Sequence, residues 1–450
     1  MWLARGRSAA AEAGGCRGRG RRRPKRHSLQ SGLPTPRAFV AMKLRTASSS
    51  ELAIDGGKPV RTSPLPAWPK FAADEIASVV DVLRSGKVNY WTGSCVKAFE
   101  HAFAGAFEMP FAVAVANGTI ALELALRALG VGPGAEVIVT PRSFIASVSA
   151  VISVGARPVF ADVDRESGNI TAASAACALT QKTRALLPVH LAGWPCDMLA
   201  LLSLAREHGL IVIEDCAQAH GARLAGRPVG SFGDAAAFSF CQDKIMSTGG
   251  EGGMLLFRDE AAWRRAWEFK DHGKSYALTR AVHYQSGFRW LHESIGTNWR
   301  LTEMQAAIGL RQLAKLESWV TRRRALAHRL AHRLSELPAL RVPHSGVRVH
   351  HAHYRLYAYV CSEALAPGWN RDRIAAAVAA EGVPCLVGTC PEIYRERAIV
   401  DRRLDPEVYL PIAHELGETS LAFLVHPTLG DDDIDDVAKA VEKVLAVASH

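Results

Sequence analysis

The chain has 450 residues, 48% hydrophobic and 22% charged, a globular composition too long for one ordinary core, so two domains are expected. No uncharged apolar run reaches the roughly 18 residues of a membrane helix, which argues against a membrane-spanning protein. The formal charge of +10 would suggest a nucleic-acid partner, but residues 1–50 hold twelve Lys/Arg against Glu12 alone, so the rest of the chain is near neutral and neither nucleic acid nor membrane is expected as its partner.

The basic leader, residues 1–50, is too poor in apolar residues to bury a core and is expected to be disordered. It could be a transit peptide, a nucleic-acid-binding arm, or an upstream extension with Met42 as the working start; we take the third reading, because a globular pattern begins only near Leu52. The nine cysteines are scattered, without CxxC pairs, and fit mostly buried thiols in a reducing cytoplasm.

From residue 74 the chain alternates helix and strand signals. DEIASVVDVLRSG (74–86) has a helical apolar face and a terminal glycine. FAVAVAN (111–117) reads as a strand running into the helix TIALELALRALG. At that junction Asn117-Gly118-Thr119 could hold a phosphate on free helix N–H groups, although taken alone it is an Asn-Gly turn. Strand runs EVIVT, RPVFADVD, RALLPVH and IVIEDC then alternate with helices, which implies right-handed crossovers and a doubly wound, mostly parallel α/β sheet. Its last parallel run ends in Glu214-Asp215, at the strand end where ligands of such sheets sit. A further run, DAAAFSF, leads to Lys244 and a glycine-rich turn. A lysine in an apolar crevice near a carboxylate suits Schiff-base chemistry, though either residue alone could be a strand end or a loop lysine.

After another strand, MLLF, residues 270–300 form a long polar, aromatic-rich segment expected to line a site or a subunit interface. A long helix follows from about Leu301 to Leu334, with Arg322-Arg323-Arg324 read as a solvated face. Beyond Pro343, HYRLYAYVC, RDRIAAAVAAEGV and DDDIDDVAKAVEKVLAVA suggest a smaller α/β piece. The division expected is therefore a large domain over 51–310, and a linking helix with a small C-terminal domain over 311–450. His350, His351 and His353 are not expected to bind metal, because strand alternation puts adjacent histidines on opposite faces and no carboxylate or cysteine completes a set.

Several stretches together resemble the DegT/StrS nucleotide-sugar aminotransferases, pyridoxal-phosphate enzymes of the aspartate-aminotransferase fold. They are GGKPVR (56–61), NGTIALELALRALG, GARPVFADVD, PVHLAG, EDCAQAHGA, GDAAAFSF followed by Lys244, GGEGGM and TNWRLTEMQAAIG, and the resemblance runs from Leu52 to the C-terminus. It implies that Lys244 anchors pyridoxal 5'-phosphate and shuttles the proton, and that Asp215 faces the pyridine nitrogen. It further implies Gln218 at the ring hydroxyl, Gly118, Thr119 and Ser239 at the phosphate, and Phe144 stacked on the ring. Asn298 would reach the phosphate of the other subunit, which makes a homodimer with shared sites, and His190 would lie near the substrate. The implied reaction moves an amino group from glutamate or glutamine to a keto-sugar. Keto-cyclitol amination and a non-catalytic regulator are the alternatives, the latter disfavoured by an intact Lys244, Asp215 and Ser239. Two departures from the family pattern stand out: an extra glycine in Thr248-Gly249-Gly250-Glu251-Gly252-Gly253, and the approach to the lysine, Cys241-Gln242-Asp243, which differs from the more usual aromatic-bearing forms and sets Asp243 beside Lys244. That carboxylate would raise the amine's pKa if it pointed inward; the expectation is that it faces solvent.

Overall fold

Runs that are apolar throughout are suited to strands covered on both faces, and each predicted run forms one. The structure, a computed structural model, describes residues 51–281, 290–404, 406 and 409–450; the basic leader, Met42 and part of the 270–300 segment lie outside these. The strands are β1 (Phe111–Val115), β2 (Glu136–Val139), β3 (Arg157–Phe160), β4 (Thr183–Leu187) and β5 (Ile211–Asp215). A short hairpin, β6 (Arg223–Leu224) and β7 (Arg227–Pro228), precedes β8 (Ala235–Ser239) and β9 (Gly253–Phe257). Apart from the hairpin they make one sheet of order β1-β9-β8-β5-β4-β2-β3. Only β9 runs against its neighbours β1 and β8; the remaining pairs are parallel. Val113, Ile138, Leu186, Ile213 and Phe238 are fully buried in it. At about 1.5–3 kcal/mol for each large apolar side chain, this layer fixes the register of every strand end.

The accompanying helices are α1 (Ala73–Ser85), α2 (Cys95–Ala106), α3 (Gly118–Ala128), α4 (Ala146–Ser153), α5 (Ala172–Cys177), α6 (Met198–His208) and α7 (Glu260–Lys270). Their starts are set by side chains that accept a first-turn N–H: Asn117 takes that of Ile120, Asp197 that of Ala200 and Asp259 that of Ala262.

The long helix α8 (Glu303–Leu334) begins at a Thr302/Gln305 capping box and belongs to two hydrophobic cores. Its Ala306, Leu316 and Val320 pack with the large sheet. Its Leu326, Leu330 and Leu334 pack in a second core. That core is completed by β10 (Leu340–Arg341), β12 (Leu356–Val360), α9 (Arg371–Ala380), β13 (Ser420–Phe423) and α12 (Asp431–Ala448). Strand β11 (Val349–His350) instead joins the β6-β7 hairpin, and α10 (Arg397–Val400) and α11 (Pro411–Thr419) lie between α9 and β13.

The first described residues fold onto this second core. Leu52 is buried in it, and the Glu381 carboxylate accepts the N–H groups of Ala53 and Val60. Arg61 pairs with Asp433 of α12 at 2.8 Å. GGKPVR is thus a clasp that delivers Pro64 to Trp68 to the site side of the molecule. Among the described residues no helix is long and apolar enough to cross a membrane.

The Arg322-Arg323-Arg324 triplet corrects the solvated-face reading. Arg322 is half-exposed and pairs with Asp431 at 2.8 Å, but Arg323 is only 1% exposed, its guanidinium 5.1 Å from the Trp68 ring centroid. Successive helix residues differ by about 100°, so one face cannot hold all three. The cysteines also differ from expectation: among the described residues only Cys196 and Cys216 are buried, while Cys177 is exposed on α5.

Candidate active site

Strand ends gather the predicted residues. Where β1 enters α3, Gly118 lies so close to β8 that a Cβ on it would stand 2.6 Å from the Cβ of Ser239, so only glycine fits. Ser239 is nearly buried, and its hydroxyl accepts the Cys241 N–H at 3.3 Å. Thr119 is exposed on the first turn of α3. Ser239 thus sits against the first turn of α3, where free helix N–H groups suit an anion. Phe144, after β2, is 66% exposed, its ring uncovered.

Asp215 ends β5 and is buried. Its carboxylate accepts the Ser147 hydroxyl at 2.8 Å and the Ala217 N–H at 3.1 Å. Burial raises its pKa, with Ser147, Ala217 and the Lys244 charge pulling the other way. Ser147 also ties Asp215 to the turn bearing Phe144, since its N–H donates to the Phe144 carbonyl. The Gln218 side-chain oxygen accepts the Ala192 N–H at 2.7 Å, which leaves its NH2 as the end that can donate to a ligand.

His190 has a different place from the substrate contact expected of it. It is fully buried, its Nδ1 accepts the Cys196 N–H, and its Nε2 lies 3.1 Å from Glu214. That pattern fixes the tautomer with hydrogen on Nε2. Glu214, which sequence reasoning passed over as part of a strand end, also accepts the N–H groups of Gly230, Phe232 and Gly233. Burial alone would push the Glu214 carboxyl up, but His190 and the Gly233 and Gly230 amides outweigh it, and the pKa lies below its ordinary value. His190, Glu214 and Cys216 also stand within metal-ligating distance of one another, but these bonds already engage His190 and Glu214. The pair braces the strand end that carries Asp215.

Lys244 is half-exposed, with Nζ 5.0 Å from the Tyr354 ring centroid. The Trp68 indole N–H donates to its carbonyl at 2.9 Å. Beneath it His220 is fully buried, and burial, then the charges of Lys244 and Arg323, push its imidazole down to about 3. Asp243 is exposed, but it does not simply face water: it accepts the Tyr354 hydroxyl and lies 3.5 Å from Arg355. The glycine-rich loop beyond doubles back, with the Phe240 N–H on the Gly252 carbonyl and Gly250 at φ +121°. That path sets Gly253 against the Asn117 carbonyl, beside the anion turn. The added glycine is accommodated in a backbone region that favours glycine.

Asn298 is exposed and pairs with Asp271 across a β-bridge, and the carbonyl of the next residue, Trp299, accepts the Ala116 N–H at 3.0 Å, just before the turn at Gly118. Nearby, Asp271 holds Lys274 at 2.9 Å and Arg300 at 2.7 Å. The histidine run does not alternate as a strand. The Ala352 and Tyr354 N–H groups bond to Gly193 and Ala192, His353 takes φ +48°, and the His351 and His353 rings stack at 3.8 Å. Trp68, Arg323, Tyr354 and Arg355 are the site neighbours that sequence reasoning missed, and no local motif marks them.

Comparison with known proteins places this geometry. The aminotransferase from Psychrobacter cryohalolentis is a similar solved structure, at 51% identity and a TM-score of 0.83, covering 85% of this chain and 99% of that one. The L-glutamine:scyllo-inosose aminotransferase of Streptomyces griseus is 36% identical, over 88% of this chain and 98% of its own. The UDP-N-acetyl-3-dehydro-alpha-D-glucosamine 3-aminotransferase of Acidithiobacillus ferrooxidans is 35% identical, over 78% and 89%. A model of the DegT/DnrJ/EryC1/StrS aminotransferase family matches residues 69–442. With that match over most of its length, and with a lysine, a buried carboxylate and an anion turn converging at its strand ends, the chain belongs to the DegT/DnrJ/EryC1/StrS aminotransferase family.

Proposed function

We propose that this aminotransferase uses pyridoxal 5'-phosphate to carry an amino group from glutamate or glutamine to the keto group of a nucleotide-linked sugar, supplying an aminosugar for a polysaccharide or related glycan. The observation that carries the reading is the convergence of Lys244, Asp215 and the Gly118/Ser239 cradle at neighbouring strand ends. The cofactor suits these residues. A Cβ would fill the cradle at Gly118, the carboxylate of Asp215 is buried with one Ser and one amide donor, and the Phe144 ring stands uncovered. Gly118, Thr119 and Ser239 would hold its phosphate, Asp215 its ring nitrogen, Gln218 its ring hydroxyl and Phe144 its face.

When bound, the cofactor supplies an electron sink for the charge left on the amine-bearing carbon. The rest of the chemistry belongs to the chain. Lys244 Nζ takes the proton from that carbon of the donor and returns a proton in the reverse sense to the acceptor, so one base serves both half-reactions. Glu214 and His190 keep Asp215 aimed, and Trp68 and Tyr354 confine the lysine. Asn298 would complete the partner's phosphate site in a cytoplasmic homodimer.

A second reading, amination of a keto-cyclitol, draws on the scyllo-inosose aminotransferase relative, which spans nearly the same length. A panel of keto-sugar nucleotides and inososes, offered to amine-loaded enzyme, separates the two. The test of the mechanism is Lys244→Ala: transfer falls by about a thousandfold or more while the fold is retained. Full transamination by that variant would sink the proposal.

A further inference from the structure

Against Asp243, the residue before Lys244, lies a cavity of about 610 Å³ whose charged groups do not balance. Pro64 to Trp68 and Leu424 to Val425 give it apolar walls, while Asp243, Arg323, Tyr354, Arg355 and His426 give it polar ones. Burial, with the charges of Arg323 and Arg355, pushes the His426 imidazole down to about 4, so at neutral pH it adds no charge. Two guanidinium groups thus face the single carboxylate of Asp243.

Neither guanidinium is satisfied. Arg323 is 1% exposed, and its Nη1 makes only long contacts of 3.4 and 3.5 Å with the carbonyls of His353 and Tyr354. Its Nε and Nη2 are buried with no partner among the described residues, and so is Nη1 of Arg355. Asp243, the one acid within reach among the described residues, holds Arg355 at 3.5 Å, the limit of a hydrogen bond, and its own side chain is 52% exposed. A buried cation without a full set of partners is costly, and an arginine fork is shaped to take a carboxylate with two parallel bonds.

Position selects the anion. Lys244 Nζ and the Arg355 guanidinium carbon both pack on the Tyr354 ring, 5.0 and 4.9 Å from its centroid, and Asp243, the residue before Lys244, lies 3.5 Å from Arg355 Nη2. An α-amino acid bears its amine and its carboxylate on one carbon, so the groups that receive them must stand together around one small space. The phosphate of a nucleotide-linked sugar is separated from the reacting carbonyl by several bonds of the ring and would fall farther from the lysine.

We propose that Arg355, backed by Arg323, is the residue that recognises the carboxylate of the amino donor, and that Asp243 and the Tyr354 hydroxyl hold its place until the donor's carboxylate displaces Asp243. This rests on the aminotransferase reading above and deepens it by assigning the residue that takes the donor's carboxylate, in a subsite that does not hold the acceptor. Arg355 is a specificity residue, and Arg323 is a positioning residue that acts through it.

The test is calorimetric titration of cofactor-loaded protein with 2-oxoglutarate, and separately with UDP, for wild type, Arg355→Met and Arg355→Lys. The substitution by Met keeps the length of the stem; Lys keeps the charge and guards against a folding artefact. Removing one charge-assisted carboxylate contact should weaken 2-oxoglutarate between about ten- and a hundredfold in the Met variant, with partial recovery in Lys and UDP binding within about twofold of wild type. Steady-state kinetics should show the same loss as a rise in KM for L-glutamate larger than the fall in kcat. Unchanged 2-oxoglutarate binding overturns the assignment, and so does a loss confined to UDP, which would give the subsite to the acceptor's phosphate. If wild type transfers amine from glutamate while Arg355→Met has the same KM, the subsite fails and the function stands. If wild type moves no amine from any amino acid yet binds 2-oxoglutarate through Arg355, the function fails and the subsite stands.

Discussion

Replacing Glu214 by Gln tests whether the brace behind Asp215 is structural in the way its bonds suggest. Both oxygens are acceptors: Oε1 takes the Phe232 and Gly233 N–H groups at 2.7 and 2.8 Å, and Oε2 takes Gly230 at 2.8 Å and His190 Nε2 at 3.1 Å. A glutamine has the same shape but one NH2, and either orientation turns that donor toward two donors. Glu214 and His190 are fully buried, so water cannot repair the mismatch. At about 1.5–3 kcal/mol for each bond to a charged acceptor, losing two costs about 3–6 kcal/mol, a large share of an ordinary folding stability. Denaturant unfolding of wild type and Glu214→Gln, fitted for midpoint and slope, should show a lowered midpoint with an unchanged slope. The pH dependence adds a signature. Because the folded pKa of Glu214 is depressed, its stabilisation is present above the unfolded value and is lost as pH falls through the folded one, so the variant should lack that part of the acid limb. A midpoint equal to wild type would refute the bracing role.

Two further outcomes follow from the same geometry. Gly118→Ala places a Cβ 2.6 Å from the Ser239 Cβ and 3.1 Å from its hydroxyl, so stability falls by about 1–3 kcal/mol and pyridoxal phosphate affinity falls with it; adding Ser239→Gly should return stability but not affinity, as read by thermal unfolding and cofactor titration. Burial pushes His220 and His351 down to about 3, so between that value and about 6.5 the unfolded chain binds protons that the folded one refuses, and stability declines as pH falls through this window. Each should contribute about 2 kcal/mol of loss by pH 5, and identical unfolding midpoints at pH 7.5 and pH 5 would contradict the buried, uncharged state of these rings.

The parts of the fold and site that were legible in the sequence are those set by neighbours along the chain. A parallel strand covered on both faces must be apolar throughout, so β1, β5 and β8 announce themselves, and the first polar residues beyond them fall at the crevice. Asp215, Ser239, Lys244 and the Asn117-Gly118-Thr119 turn are all placed by that rule. His190 shows where the rule stops. It too follows a strand, but the N–H groups of His190 and Asp215 bond to Asp215 and Pro188 along the β4–β5 edge, and the ring turns inward to Glu214. Whether a residue leaving a strand faces the crevice or the core depends on the partner strand's path, which no local pattern records.

Arg323 makes the same point for helices. The triplet Arg322-Arg323-Arg324 looks like one charged patch, yet Arg322 reaches Asp431 of α12, Arg323 lies under Trp68, and Arg324 points to the His351 carbonyl at 3.5 Å. The distinction depends on what packs against α8, and those neighbours are remote in sequence: Trp68 meets Lys244 across 176 positions and Tyr354 meets Asp243 across 111. The division has a chemical sense. On the proposed mechanism, holding a cofactor and moving one proton require fixed groups at fixed strand ends, which a short motif can specify. On the proposed assignment, choosing a donor falls to a cavity assembled from the clasped N-terminal segment, the long helix and the small sheet's approach, where one side chain can change without disturbing the strand ends. A family with one chemistry and many substrates is therefore expected to carry its shared residues in motifs and its selectivity in contacts such as those of Trp68, Arg323 and Arg355.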